Sequence, residues 1–127
     1  MAYEPEIWII GSSIMQELKK LKGKKKDYSL LLEDILIVIK TEKYNSGRQS
    51  FVMILHYFKN NYTVEELLIS LLDDEQLYGF ALKEIKKMKL YCCMDKVIKI
   101  LKTEKTAWIK KEAELYIKNS PLNKSVL

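Results

Sequence analysis

The sequence predicts an all-α protein, an α–α solenoid of about 3.5 helical hairpins, on three observations. First, Ile39-Lys40-Thr41-Glu42-Lys43 returns as Leu101-Lys102-Thr103-Glu104-Lys105 at an offset of 62, with a diverged copy halfway between. Second, Leu32, Ile35, Leu36 and Ile39 have the three-one-three spacing that one face of an amphipathic helix buries. Shifts of 32 and then 30 give Val64, Leu67, Leu68 and Leu71, then Met94, Val97, Ile98 and Leu101. All twelve positions are apolar in a chain that is 48% hydrophobic, so chance is a poor explanation. Third, a second helical register runs between these stripes: Gly47, Phe51 and Leu55 shift to Leu77, Ala81 and Ile85, and again to Ile109, Ala113 and Ile117. Repetition of about 31 residues implies stacked hairpins sharing one core. A compact helical bundle is the alternative.

The elements follow in order. Residues 1–28 form an irregular capping unit: Pro5 suits the start of a helix whose stripe is Trp8, Ile10, Ile14 and Leu18. A run of six lysines between residues 19 and 26 follows, including an insertion of about five residues. Terminal units of a solenoid are commonly atypical because one face meets water. The repeats occupy 29–119. Ser46 with Gln49 and Thr63 with Glu66 have capping-box spacing, and Asp73 with Gln76 is a looser version. Phe51 to Leu55 is apolar nearly all round its helix, which predicts a central position. Asn60-Asn61 and Lys102 to Thr106 are short polar connectors. The last helix, about Thr106 to Asn119, is stopped by Ser120-Pro121, and 122–127 is read as a tail. Leu36, Leu55, Leu68, Ala81, Ile85, Ile98 and Ala113 are the expected core.

Length predicts a single domain, 1–127, able to bury about two thirds of its unfolded surface without staples. Adjacent Cys92 and Cys93 are badly spaced for a mutual bridge and read as reduced, intracellular thiols. The start carries Glu4 and Glu6 with no basic segment, and the apolar run Ile7 to Ile10 is too short for a signal or a membrane span. A cytoplasmic location is therefore expected. The net charge of +5 raises nucleic acid or an anionic surface as a partner. Arg48 is the only arginine, however, and phosphate recognition favours the arginine fork.

The apolar helix ending in Leu71-Leu72-Asp73-Asp74, followed by a helix with small Ala81 at its centre, resembles the HEAT-like repeats of the shorter, roughly 30-residue type. Leu101 through Ala113 to Ile117 has the same look, so the resemblance covers residues 29 to 119. It implies architecture and no activity. It also implies that the helices carrying the first stripe line a concave surface. There Glu33 stacks with Glu65 and Asp95, and Asp34 with Glu66, while Ile37 and Ile69 lie one turn along. The opposite helices carry Arg48 with Lys110, and His56 with Lys86 and Lys118, joined by Lys59, Lys87 and Lys89. Carboxylates in a first helical turn also complement the macrodipole, about 0.3–1 kcal/mol each.

Residues for catalysis do not converge in the sequence. His56 is the sole histidine and has no cysteine or carboxylate at ligand spacing. No phosphate loop, dinucleotide turn or serine elbow is present. Neither a cofactor nor a metal is expected, and Trp8 and Trp108 read as core. The expected function is non-catalytic protein binding through Glu33, Asp34, Ile37, Glu65, Glu66, Ile69 and Asp95, as in an adaptor, inhibitor or immunity protein. A nucleic-acid or anionic-surface contact through Lys24, Lys25, Lys26, Lys86 and Lys87 is the alternative, along with a basic bundle of the bacteriocin-immunity kind.

Overall fold

The computed structural model describes residues 4–20 and 29–121, which hold seven α-helices and no strand. The Lys24, Lys25 and Lys26 contact and the tail 122–127 lie outside the described residues. The chain divides between Lys59 and Asn60 into two compact units.

The first unit contains α1 (Glu4–Lys20), α2 (Ser29–Lys40) and the short α3 (Gln49–Val52). α1 and α2 both pack against α3 and against the 3-10 segment Glu42–Arg48 that precedes it. The buried line of α1 runs through Gly11 and Leu18, with Ile7 and Ile14 half-buried. Trp8 and Ile10, expected in the core, are exposed beside Ile9. The rotation follows from Gly11: a Cβ there would stand 2.1 Å from Ser50 Oγ and 2.9 Å from the Phe51 ring. α1 therefore turns its glycine, not its tryptophan, toward α3.

The helix expected from Ser46 through Leu55 is broken into pieces. Asn45 takes a φ of 46°, Met53 N–H bonds the Gln49 carbonyl, and from Ile54 onward the bonding tightens to the third residue back. The run of aromatic and β-branched side chains from Phe51 to Phe58 has weak helix propensity. Burial of Phe51, Val52, Ile54 and Leu55 governs this stretch instead. Ser46 makes no cap here.

Arg48 is 4% exposed, which corrects its expected place on a basic surface row. Its Nε donates to the Asn45 carbonyl at 2.9 Å and its Nη1 to the Ile39 carbonyl at 3.0 Å. The only arginine thus closes the C-terminal end of α2, where helical carbonyls lack intrahelical donors.

The second unit is α4 (Tyr62–Leu71), α5 (Tyr78–Lys87), α6 (Met94–Thr103) and α7 (Ala107–Asn119). α4 packs on α5, α5 on α7, and α6 on α7. Each helix bearing the first stripe therefore contacts the helix that follows it, as α2 does α3. Leu55, Leu77, Ala81, Ile85, Ile109 and Ala113 of the second register are buried. In the first stripe Leu32, Ile35, Ile39, Val64, Leu68, Leu71 and Val97 are buried. Leu36 and Ile98, expected in the core, are only half-buried. For Ile98 the reason is local: α6 packs on α7 and the turn at 91–93, which leaves part of its stripe uncovered.

The caps are displaced from their expected places. Asn61, not Thr63, caps α4, its side-chain oxygen accepting the Val64 N–H at 3.1 Å. Asp74, not Asp73, accepts the Gln76 N–H, at 2.8 Å. Within the repeated pentapeptide the threonine contact recurs, Thr41 donating to the Ile37 carbonyl and Thr103 to the Lys99 carbonyl, each four residues back, while the backbone differs: Glu42 opens a 3-10 segment and Glu104 is extended. α5 ends in a Schellman turn, with Leu90 N–H on the Ile85 carbonyl and Lys89 N–H on that of Lys86. Lys89 carries the left-handed φ of 58° that glycine adopts without strain. Lys89→Gly is expected to raise stability by about 1 kcal/mol, read as a higher urea midpoint; an unchanged or lower midpoint would contradict the strain.

Candidate functional site

The residues singled out for binding fall on the outward faces of α2, α4 and α6. On α2 the exposed stripe Leu30, Glu33, Asp34 and Ile37 repeats the three-one-three spacing on the side away from Leu32, Ile35 and Ile39. Leu30 is 77% and Ile37 63% exposed, so two aliphatic side chains stand in water with two carboxylates between them. On α4 the same pattern recurs 32 residues on as Tyr62, Glu65, Glu66 and Ile69. Tyr62 is 74% exposed, and Ile69 and Glu65 are half-buried. The Tyr62 hydroxyl hydrogen-bonds the Glu66 carboxylate, which raises the phenol above its ordinary pKa.

Position along the helix separates two explanations for these acids. Glu65 and Asp95 lie in the first turns of α4 and α6, where the macrodipole accounts for a carboxylate. Glu33 and Asp34 lie beyond the first turn of α2, and Glu66 is one residue beyond that of α4. Dipole compensation fades over that distance.

α6 carries a different pattern. Asp95 is exposed, but Lys96 and Lys99 stand where Glu66 and Ile69 stand on α4. Lys96 Nζ reaches Asp73 Oδ2 at 2.7 Å. Beside this pair lies a cleft of about 430 Å³ between the end of α4 and α6, walled by Leu72, Lys99, Ile100 and Thr103.

The lysines of the alternative reading are engaged elsewhere. Lys86 lies 2.5 Å from Glu112, both side chains mostly covered, in an ion pair linking α5 to α7. Lys87, half-exposed, is 3.9 Å from Glu84, which is buried. Lys59, Lys89, Lys110 and Lys118 are exposed.

Two polar clusters that the sequence did not single out hold the second unit together. Tyr116 is fully buried on α7; its hydroxyl donates to the Leu90 carbonyl at 2.5 Å and accepts the Cys93 N–H at 3.1 Å. Tyr78 at the start of α5 donates to Glu104 Oε2, whose other oxygen accepts the N–H groups of Lys105 and Thr106 at 3.1 Å. The tyrosine hydrogen bond holds the Glu104 carboxyl below its ordinary range. That same bond pushes Tyr78 up to about 12, and burial does the same to Tyr116. The Cys93 thiol is pushed up to about 12, first by burial.

These raised values set an alkaline limit on stability. The unfolded chain releases such protons from about pH 9 for cysteine and 10 for tyrosine, the folded chain only near 12. Protons are therefore lost first on unfolding, and the stabilisation present below pH 9 decays between 9 and 12. The urea midpoint should fall across that window, less steeply in Tyr116→Phe; a midpoint flat to pH 11 would contradict the assignment.

His56 is half-buried, its ring 4.3 Å from that of Tyr57. Among the described residues no group of three or more His, Cys, Asp or Glu is placed to hold a metal ion. No described helix is long and apolar enough to cross a membrane. Trp8 and Trp108, expected as core, are partly exposed, and Trp108 meets Phe80 edge-on at 5.2 Å. No family model, curated protein sequence or solved structure matches the chain.

Proposed function

We propose that this chain is a non-catalytic module of HEAT-like, α–α solenoid architecture that binds a partner protein through the outward faces of α2 and α4. The role fits an adaptor, an inhibitor or an immunity protein. One observation carries the proposal: Leu30 and Ile37 stand exposed on α2 and bracket Glu33 and Asp34, carboxylates that helix-dipole compensation does not explain. Protein interfaces draw most of their energy from a few apolar or aromatic side chains, while rim charges steer approach. Tyr62 and Ile69 with Glu65 and Glu66 supply the same chemistry on α4. The acids favour a partner surface bearing lysine or arginine. Asp95 contributes charge alone, since Lys96 and Lys99 follow it.

The test is capture from native extract, identification of the bound protein, and kinetics with the purified pair. Glu33→Lys with Asp34→Lys should slow association. Ile37→Ala should speed dissociation about tenfold, the equivalent of about 1.4 kcal/mol. Unchanged kinetics in both variants would remove α2 from the interface. Submicromolar duplex binding at about 150 mM salt, lost on lysine neutralisation, would favour nucleic acid instead.

A further inference from the structure

Cys92 and Cys93 form a site that the binding faces of α2 and α4 do not use. In extended backbone, neighbouring side chains point to opposite faces. Here residues Tyr91–Cys93 form a 3-10 turn leading into α6, and the two Sγ atoms come within 3.7 Å. Cys92 is exposed and Cys93 is 5% exposed, so one sulfur faces water with the other behind it. Tyr116 fixes the turn from beneath by accepting the Cys93 N–H.

The pair is poorly suited to a disulfide and well suited to gripping one atom. Consecutive Cα atoms are about 3.8 Å apart, below the range of about 4.4–6.8 Å that disulfides span without strain. A pyramidal trivalent centre holding two sulfurs at bonds of about 2.3 Å, opened at about 90–100°, places them about 3.3–3.5 Å apart. The observed 3.7 Å is close contact between the sulfurs, a few tenths of an ångström wider than that span and within reach of a small side-chain rotation. A structural zinc ion requires four ligands, and among the described residues no third His, Cys, Asp or Glu joins the pair. A centre that needs only two sulfurs and brings its own third substituent fits the arrangement.

The geometry points to the Cys92–Cys93 pair as a two-thiol clamp for a trivalent, thiophilic centre of the organoarsenic(III) type. Arsenic in the hydrated form R–As(OH)2 exchanges one hydroxyl for the Cys92 sulfur, forming As–S, breaking As–O and releasing water that carries the thiol proton. The second hydroxyl leaves in the same way as Cys93 closes the ring. Arsenic stays trivalent throughout, and no oxidant or reductant takes part. The Cys93 thiol proton leaves with the second hydroxyl as water, so each As–S bond formed releases one water molecule. The second bond is intramolecular, and linkage of this kind strengthens binding by about 10²–10⁴ over one thiol alone.

Phenylarsine oxide is the probe. The full chain should take up one equivalent by intact mass, keep it under excess 2-mercaptoethanol, and release it to 2,3-dimercaptopropanol. Cys92→Ser, at an exposed position, should bind at least about a hundredfold more weakly and lose its adduct to the monothiol. Cys93→Ala should behave alike, with a circular dichroism melt confirming that each variant is folded. Uptake of two equivalents, or loss of the wild-type adduct to monothiol as readily as from Cys92→Ser, would overturn the clamp.

Discussion

Arg48→Met is expected to lower the stability of the protein by about 3 kcal/mol or more. The substitution removes two hydrogen bonds from a charged donor, each worth about 1.5–3 kcal/mol, to the carbonyls of Ile39 and Asn45. Methionine keeps the length of the side chain and offers neither carbonyl a donor, so both acceptors are stranded where water has little access. Lysine in its place should recover only part of the loss, because a single ammonium does not reproduce the two-point fork. Urea unfolding followed by circular dichroism measures both variants. A loss below about 1 kcal/mol for Arg48→Met would show that water reaches those carbonyls.

Leu68→Ala should cost about 2–5 kcal/mol, the range for emptying a leucine site that cannot collapse. Leu68 is fully buried on α4, and typical domains have only about 5–15 kcal/mol of total stability. Ile98→Ala, at the equivalent stripe position on α6, should cost distinctly less because Ile98 keeps part of its surface in water. Equal losses at the two sites would mean that the exposure of α6 is closed in solution.

The difference between those two sites shows what was legible in the sequence. Periodicity identifies which residues are apolar and roughly which side of a helix they occupy. The second register of Leu77, Ala81 and Ile85, and of Ile109 and Ala113, consequently appears in the structure as buried positions. Periodicity does not say how much of a face finds a neighbour. α6 shares the stripe of α4 and buries less of it. On α1 the criterion of size misled, because the close approach belongs to Gly11 and pushes Trp8 and Ile10 outward. The caps lie one or two residues from their expected places, since Asn61 and Asp74 each have an equally plausible acceptor oxygen nearby in Thr63 and Asp73. Charge alone places Arg48, the sole arginine, on the surface, whereas its carbonyl partners lie three and nine residues back across a kink. Tyr116 left no signal at all, because its partners Leu90 and Cys93 lie more than twenty residues away. Among the candidate binding residues, the spacing of Glu33, Asp34 and Ile37 was readable, while the exposure of Leu30 and Tyr62 beside them required the fold.

The bond from the Cys93 amide to Tyr116 makes one proton a reporter on half of the molecule. A backbone N–H in the short turn before α6 would ordinarily exchange with deuterium on the timescale of local fraying. This one is held by a buried phenol on α7. Its release requires α7 to leave the α5–α6 connection. The exchange rate of that single amide therefore follows the cooperative opening of residues 60–127, and it offers a site-specific measure of how a bound partner or a substitution redistributes stability within that unit.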